Sequence, residues 1–298
     1  MCCRSSHLNM RKILIILILL ILIGLGFYFR NDFLSLYFNL TKKLPAAEKI
    51  SFDSLVKDIE QKVSTPPPLR VRQEAPQSFL TQSGVIKWTN SQRASSGLPP
   101  LTQNSKLDAA ALAKAKDMLK NQYFAHISPA GTGPADLAKK AGYEFIFLGE
   151  NLAIGNFESD QILVGEWMES PGHRENILNS RFREIGVAVV KGIFEGRETW
   201  MAVQEFGLPL SVCIFPDSLL KNQIEAYKSQ ALALEKTINA KRLEFENTQF
   251  TSRSQMNQAI SEFNDLVNQY NGLVIAVKSL IGAYNAQVNR FNSCVSSQ

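Results

Sequence analysis

Three phrases between Tyr123 and Asn179 decide how this chain is read: Y-F-A-H-I-S-P (Tyr123 to Pro129), G-E-N-L-A (Gly149 to Ala153) and W-M-E-S-P-G-H-R-E-N-I-L (Trp167 to Leu178). They hold two of the three histidines and place His126, Glu150, Glu169, Ser170 and His173 among aromatic and small residues. Two neutral imidazoles and a carboxylate, if they converge, suit Zn2+ or a similar divalent metal with an open coordination position. The structural alternative is that His126 and His173 cap turns and bond to Glu150, tying three loops together. Gly149 and Gly172 allow close backbone approach at such a site, which a purely packed core does not require.

Outward from these phrases the pattern is of helices first and strands last. One helix is predicted around Leu80 to Ser95, ended by Gly97 and Pro99. A second starts at a Ser105 cap, with Leu107, Ala111, Ala115, Met118 and Leu119 on one side. A third runs from Pro134 to Gly142, and a fourth from near Ser159 to Pro171, where S-P-G-H reads as a helix stop. Glu184 to Val190 and Thr199 to Phe206 alternate as strands, joined through Gly192 and Gly196. Helices that must cover both faces of a sheet predict an α+β chain built as an α/β/α sandwich.

The phrases above, with V-I-K-W-T-N-S-Q-R-A-S-S-G-L-P-P-L (Val85 to Leu101), A-K-A-K-D-M (Ala113 to Met118), R-E-I-G-V-A-V (Arg183 to Val189) and V-Q-E-F-G (Val203 to Gly207), resemble the CAP superfamily in its bacterial branch. This is the SCP domain of cysteine-rich secretory proteins, venom antigen five and plant pathogenesis-related proteins. The resemblance spans residues 78–212 and implies the CAP-type α/β/α sandwich. In that family two histidines and two acidic residues face a shared cavity, and some members hold a divalent metal there. Carried over by motif, His126 and His173 are the histidines and candidate metal ligands, and Glu150 is the first acid. The second acid departs from the pattern: the matching position after Trp167 is Ser170, with Glu169 beside it and Glu166 one turn earlier.

His126, Glu150 and His173 are also the candidate catalytic residues. A Ser170–His173 nucleophilic pair is the weaker option, because there is no G-x-S-x-G elbow and no evident acid to orient the imidazole. Phosphate-binding glycine loops, zinc-finger cysteine spacing and dinucleotide fingerprints are absent from the sequence.

The 298 residues suggest one core domain with accessories. Ile13 to Phe29 carries no charge and, as a helix of about 25 Å, reaches the lower limit for spanning a bilayer. The following F-Y-F-R-N-D-F lacks a small-x-small cleavage signal, so an uncleaved anchor is expected, and Arg11 and Lys12 at its edge favour an inside amino terminus. The expected organisation is a short cytoplasmic tail at 1–12, a transmembrane anchor at 13–29, a juxtamembrane segment with a Pro-rich linker at 30–77, the CAP/SCP domain at 78–212 and a helical hairpin at 213–298. Within the juxtamembrane part, Ser51 to Val63 reads as a short helix and Ser64 to Gln77, with three consecutive prolines, as an extended spacer. Residues 1–77 carry 11 Lys/Arg against 6 Asp/Glu, 78–212 carry 13 against 14, and 213–298 carry 8 against 7. The net charge of +5 thus lies near the expected membrane, and the motif-bearing domain has no footprint for nucleic acid.

Beyond Pro216 two apolar rows repeat every seven residues. One is Met256, Phe263, Tyr270, Val277, Tyr284 and Phe291; the other is Ile260, Val267, Val274, Ile281, Val288 and Val295. Together with Leu220, Ile224, Tyr227, Ala231, Leu234, Ile238 and Phe245 they predict an antiparallel coiled-coil hairpin turning at T-Q-F-T-S-R-S, with oligomerisation through it as an option. Equal arms about that turn bring Cys213 and Cys294 together, predicting a disulfide in an oxidising compartment, whereas Cys2 and Cys3 stay inside. The functional expectation is a single-pass cell-membrane protein with its CAP domain outside, binding an envelope lipid, glycan or protein. A metal-assisted hydrolase or peptidase using the same cavity, and a structural adaptor acting through the hairpin, are the alternatives.

Overall fold

The computed structural model describes residues 61–298. The tail expected at 1–12, the anchor at 13–29 and most of the juxtamembrane segment lie outside the described residues. Among the described residues, no helix is long and apolar enough to cross a membrane. Contacts divide the chain into two units: one is the described part of Ser51–Pro216 together with Ala286–Gln298, the other Asp217–Asn285.

In chain order the first unit holds β1 (Lys62–Ser64), β2 (Leu69–Arg70), α1 (Gln82–Ser95), β3 (Thr102–Gln103), α2 (Ser105–Asn121), α3 (Pro134–Lys140), β4 (Phe145–Ile154), α4 (Asp160–Glu169), α5 (Pro171–Leu178), β5 (Glu184–Phe194), β6 (Arg197–Pro209) and a 3-10 turn at Leu210–Val212. Caps fix the helix starts. Thr81 accepts the Gly84 amide ahead of α1, and Ser159 accepts that of Ile162 ahead of α4. The cap of α2 is Asn104, one residue before the expected Ser105. Asp108, in its first turn, accepts the Val187 amide at 2.9 Å and so pins α2 to β5.

The sheet runs β1-β4-β6-β5-β3, with β2 also on β4. β4, β6 and β5 pair antiparallel; the short strands lie parallel to their partners. Residues of α1, α4 and α5 pack with Phe147, Ala153, Ile185, Val187, Ala202 and Phe206 on one face, where Phe147, Phe182 and Phe206 stack with centroids 4.9 and 5.3 Å apart. Residues of α2 cover Leu152, Ile154, Ala188, Met201 and Val203 on the other. The first unit is therefore an α/β fold in three layers around a mixed sheet.

Three differences from the sequence reading bear on the site. β4 is a strand that the apolar pattern does not announce: all ten of its residues are buried, and a strand covered on both faces shows no alternation. α4 ends at Glu169 with Ser170 as its cap, as expected, but Pro171 also starts α5, where its fixed φ and missing N–H cost nothing at the first helical position. The described part of the stretch expected as a short helix and spacer contributes β1 and β2, both laid on the edge of β4, so Lys62 and Val63 are extended but exposed, and of the three prolines Pro66 is buried.

In the second unit α6 (Ser218–Asn247) and most of α7 (Arg253–Ser296) are separated by residues 248–252, within the expected turn. Ala231 and Ile238 of α6 cluster with Phe263, Val267 and Tyr270 of α7. From Phe263 onward every member of the first apolar row is buried, whereas Ile260 of the second row is 39% exposed. The last turns of α7 belong to the first unit: Phe291 joins its core, the Phe215 and Phe291 rings lie 5.1 Å apart, and Cys213 and Cys294 form a disulfide with Cα atoms 5.8 Å apart.

Candidate functional site

The site grows from the register of β4 on β6, which sets Glu150 opposite Glu205 and Asn151 opposite Gln204. Strand alternation then separates two polar groups by face. Glu150 and Glu205 point with Leu152 and Val203 toward α2; Asn151 and Gln204 point toward α1 and α5. On the α5 side, Asn176 Nδ2 donates to Asn151 Oδ1 at 2.9 Å, Asn151 Nδ2 to Gln204 Oε1 at 3.1 Å, and Gln204 Nε2 to Thr89 Oγ1 at 2.7 Å. Asn151 Nδ2 also donates to the His173 carbonyl at 3.2 Å. This chain of amides fixes α5 against the sheet and with it the backbone of His173.

On the α2 side two fully buried carboxyls face each other across the strands. Like charges directly opposite destabilise a sheet, so a proton is retained. Burial, the negative charge of Glu150 and a hydrogen bond to Glu150 push the Glu205 carboxyl up, with Lys114 opposing. Among the described residues no donor reaches Glu205 Oε1, Glu205 Oε2 or Glu150 Oε2, so these oxygens face each other without another group to satisfy them. Lys114, buried in the apolar stripe of α2, donates from Nζ to the His126 carbonyl at 2.6 Å and to Tyr123 Oη at 3.3 Å. Burial pulls its ammonium down, while the charges of Glu150, Glu205 and Asp117 hold it up. Tyr123 Oη in turn donates to Asp117 Oδ2 at 2.6 Å.

The two histidines reach this cluster from different elements. His126, in the loop after α2, has Nδ1 2.5 Å from Glu150 Oε1, and its Nε2 donates to the Pro66 carbonyl at 2.6 Å. His173, in the first turn of α5, has Nδ1 2.8 Å from Ser170 Oγ. Among the described residues its buried Nε2 finds no hydrogen bond of normal geometry. The Leu152 carbonyl, which acts on this ring, already receives Trp167 Nε1–H at 3.3 Å. Burial and the nearby His126 lower His173 to about 4, so its ring is neutral at pH 7.

His126, Glu150 and His173 are thus brought into one neighbourhood, and Ser170 touches His173. Glu169 is not in it: its exposed carboxylate accepts from Arg72 Nη1 at 2.6 Å, because the end of α4 turns it outward. Glu205, Lys114 and Pro66 were missed. Lys114 had a legible signal, a lysine in the row Leu107, Ala111, Met118. Glu205 had only a glutamate between Gln204 and Phe206, and its pairing depends on register.

Both ring nitrogens of His126 are engaged, by Glu150 and Pro66, and no group of three or more His, Cys, Asp or Glu side chains among the described residues is disposed to hold a metal ion. In this arrangement the residues do not fit the divalent metal expected at His126 and His173. Among the described residues no acid orients the imidazole of the Ser170–His173 contact, so it is half of a nucleophilic device.

The family model of the cysteine-rich secretory protein family, CAP, matches residues 87–206, which run from α1 to β6 and enclose every side chain of the cluster. The chain carries a CAP domain. Protein YkwD of Bacillus subtilis is 41% identical over 107 residues, 36% of this chain and 41% of that protein. Membrane protein YlbC of the same organism is 30% identical over 109 residues, 37% and 31% of the two chains, so the matched part spans well under half of either relative. Among solved structures, an extracellular SCP-domain protein of Bacillus anthracis aligns with TM-score 0.37 at 28% identity, covering 42% of this chain and 39% of its own. An outer surface protein of Borrelia burgdorferi aligns with TM-score 0.36 at 23% identity, covering 42% and 90%. The CAP domain therefore supplies both histidines and both buried glutamates, while Pro66 comes from outside the matched region.

Proposed function

We propose that this is a membrane-anchored, extracytoplasmic CAP-domain protein that binds an envelope ligand, a lipid, glycan or protein, at the His126–Glu150–His173 cluster. The observation that carries the reading is the buried polar cluster itself. A core selected only for stability avoids opposed carboxyls, a buried lysine and a histidine nitrogen without a normal partner, since each costs free energy. Such groups persist where a ligand completes them. The Cys213–Cys294 disulfide fits the oxidising side of a membrane, and a 17-residue apolar run at Ile13 to Phe29 would supply the anchor. The helices α6 and α7 would form the antiparallel hairpin that spaces or pairs such molecules.

Binding is favoured over hydrolysis because His173 at about 4 is a weak base at neutral pH and no acid orients it. The test is retention of the full chain on fractionated envelope: extracted lipid, peptidoglycan and solubilised protein, assayed separately with His126→Ala and Glu205→Gln. The reading requires that at least one fraction be bound by the native chain and lost by His126→Ala. Equal retention of native and variant chains on every fraction removes the cluster from function.

A further inference from the structure

The segment preceding the CAP domain lies against His126 and Gly172. β1 pairs Lys62, Val63 and Ser64 with Phe147, Leu148 and Gly149; β2 pairs Leu69 and Arg70 with Ala153 and Ile154, and the Val71 amide donates to the Ile154 carbonyl at 3.0 Å. Between Ser64 and Leu69 the segment takes five residue steps where β4 takes four, so it arches over Glu150 to Leu152. The arch is Thr65-Pro66-Pro67-Pro68, whose prolines offer no N–H, and it turns one group inward: the Pro66 carbonyl, accepting from His126 Nε2. Pro66 is buried while Thr65 and Pro67 are exposed.

The groove is shaped for this occupant. A Cβ at Gly172 would stand 2.7 Å from Pro66 Cβ, so the glycine beside His173 leaves room for the proline ring. Asn176 Nδ2 donates to the Ser64 carbonyl at 3.4 Å, and Leu69 and Val71 lean on the sheet's apolar core. Two acidic side chains meet the basic residues downstream, Glu195 with Arg70 at 3.6 Å and Glu169 with Arg72 at 2.6 Å. The hold is made of many small parts: two ladders of three and two residues, the bonds to Ser64, Pro66 and Val71, the packing of Leu69 and Val71, and two exposed ion pairs each worth at most about 1 kcal/mol. Strands added along an open sheet edge, read by backbone bonds and a few side-chain pockets, are a general way to bind peptides.

We infer that the edge of β4 beside His126 and Gly172 is a groove for an extended, proline-bearing basic peptide, and that residues 62–72 fill it as an intramolecular strap. This rests on the binding reading above and narrows it to a protein ligand. The peptide's proline carbonyl accepts from His126, and its basic side chains pair with Glu169 and Glu195. A ligand in trans binds only the fraction of molecules whose strap is lifted, so a strap seated nine-tenths of the time weakens apparent affinity by about tenfold.

The test uses the full chain with Pro66→Asp, which puts a charged side chain in the buried place of the proline ring beside Gly172 and leaves the groove's own residues unchanged. Hydrogen exchange is expected to show lost protection at the Val71 amide. A fluorescent synthetic peptide of residues 62–72 is expected to bind this variant about tenfold more tightly than the native chain, following the arithmetic above. The same peptide carrying Pro66→Asp is expected not to bind, and adding Gly172→Ala to the variant to abolish binding of the native peptide. If Pro66→Asp does not fold, Leu69→Ala, which loosens the strap away from the histidines, carries the same comparison. A strap that stays protected in the variant, no gain in peptide binding once it is released, or indifference to Gly172→Ala overturns the inference. Retention on lipid or peptidoglycan that depends on His126, without peptide binding, overturns it while leaving the binding function standing.

Discussion

Glu205 and His173 give the CAP domain two opposed responses to pH. For Glu205 the folded pKa lies above the unfolded value of about 4.3. The folded state thus holds a proton the unfolded chain releases, and stability falls as pH rises from about 4.3 toward the folded value. Glu205→Gln, which offers Glu150 an amide without the titration, is expected to stabilise the chain at pH 7 because folding no longer takes up a proton, by about 1.4 kcal/mol for each unit by which the folded value exceeds the unfolded one, up to pH 7; urea unfolding of the two chains checks it. His173 runs the other way, with its folded value of about 4 below the ordinary 6.5. The unfolded imidazole takes a proton that the folded one refuses, so stability is lost as pH falls from 6.5 through 4, by about 3 kcal/mol when complete. Glu150, Lys114, Tyr123 and Asp117 surround the same cluster, so the clean measurement is made in Glu205→Gln. There, His173→Leu is expected to flatten the acid limb of stability between pH 6.5 and 4; an unchanged limb would assign it to another group.

At the scale of elements, what the sequence disclosed depended on whether a segment has two environments. Helices with one face in water, such as α2 and α4, wrote their boundaries in caps and apolar rows. β4, buried on both faces, wrote nothing but a run of hydrophobic residues around G-E-N, and α5 was hidden because proline both ends and begins helices. The site followed the same division: His126, Glu150 and His173 lie in distinctive phrases, but Glu205 becomes meaningful only through the register that places it opposite Glu150. Pro66 was legible as a stiff residue and not as a partner of His126, since its contact crosses 60 positions. The end of α7 was the most legible distant feature, because a heptad row marked Phe291 and equal arms about the turn set Cys294 beside Cys213. Phe291→Ala, which empties a buried site in the first unit's core, is expected to cost about 3 to 5 kcal/mol in urea unfolding.

On the scale of the whole molecule, the CAP domain is bordered by two segments that the domain's own sequence does not contain. One, residues 62–72, lies on an edge strand that would otherwise expose unpaired N–H and C=O groups. The other, Ala286–Gln298, returns to the same unit after the 69 residues Asp217–Asn285 and is closed on it by the Cys213–Cys294 disulfide. A loop of 81 residues closed in this way stabilises by about 4 to 5 kcal/mol in the chain-entropy model, so the return is covalent and also thermodynamically weighty. It follows that cutting the chain between the two long helices should leave the carboxyl-terminal piece attached. With a specific protease site placed within residues 248–252, cleaved protein is expected to run as one species of intact mass on a denaturing gel without reductant, and as two after reduction. The Cys213→Ser chain, cut in the same place, is expected to separate without reductant. Two species from the native pair under non-reducing conditions would mean that the thiols are not joined, and with that the argument for an oxidising compartment would lose its support.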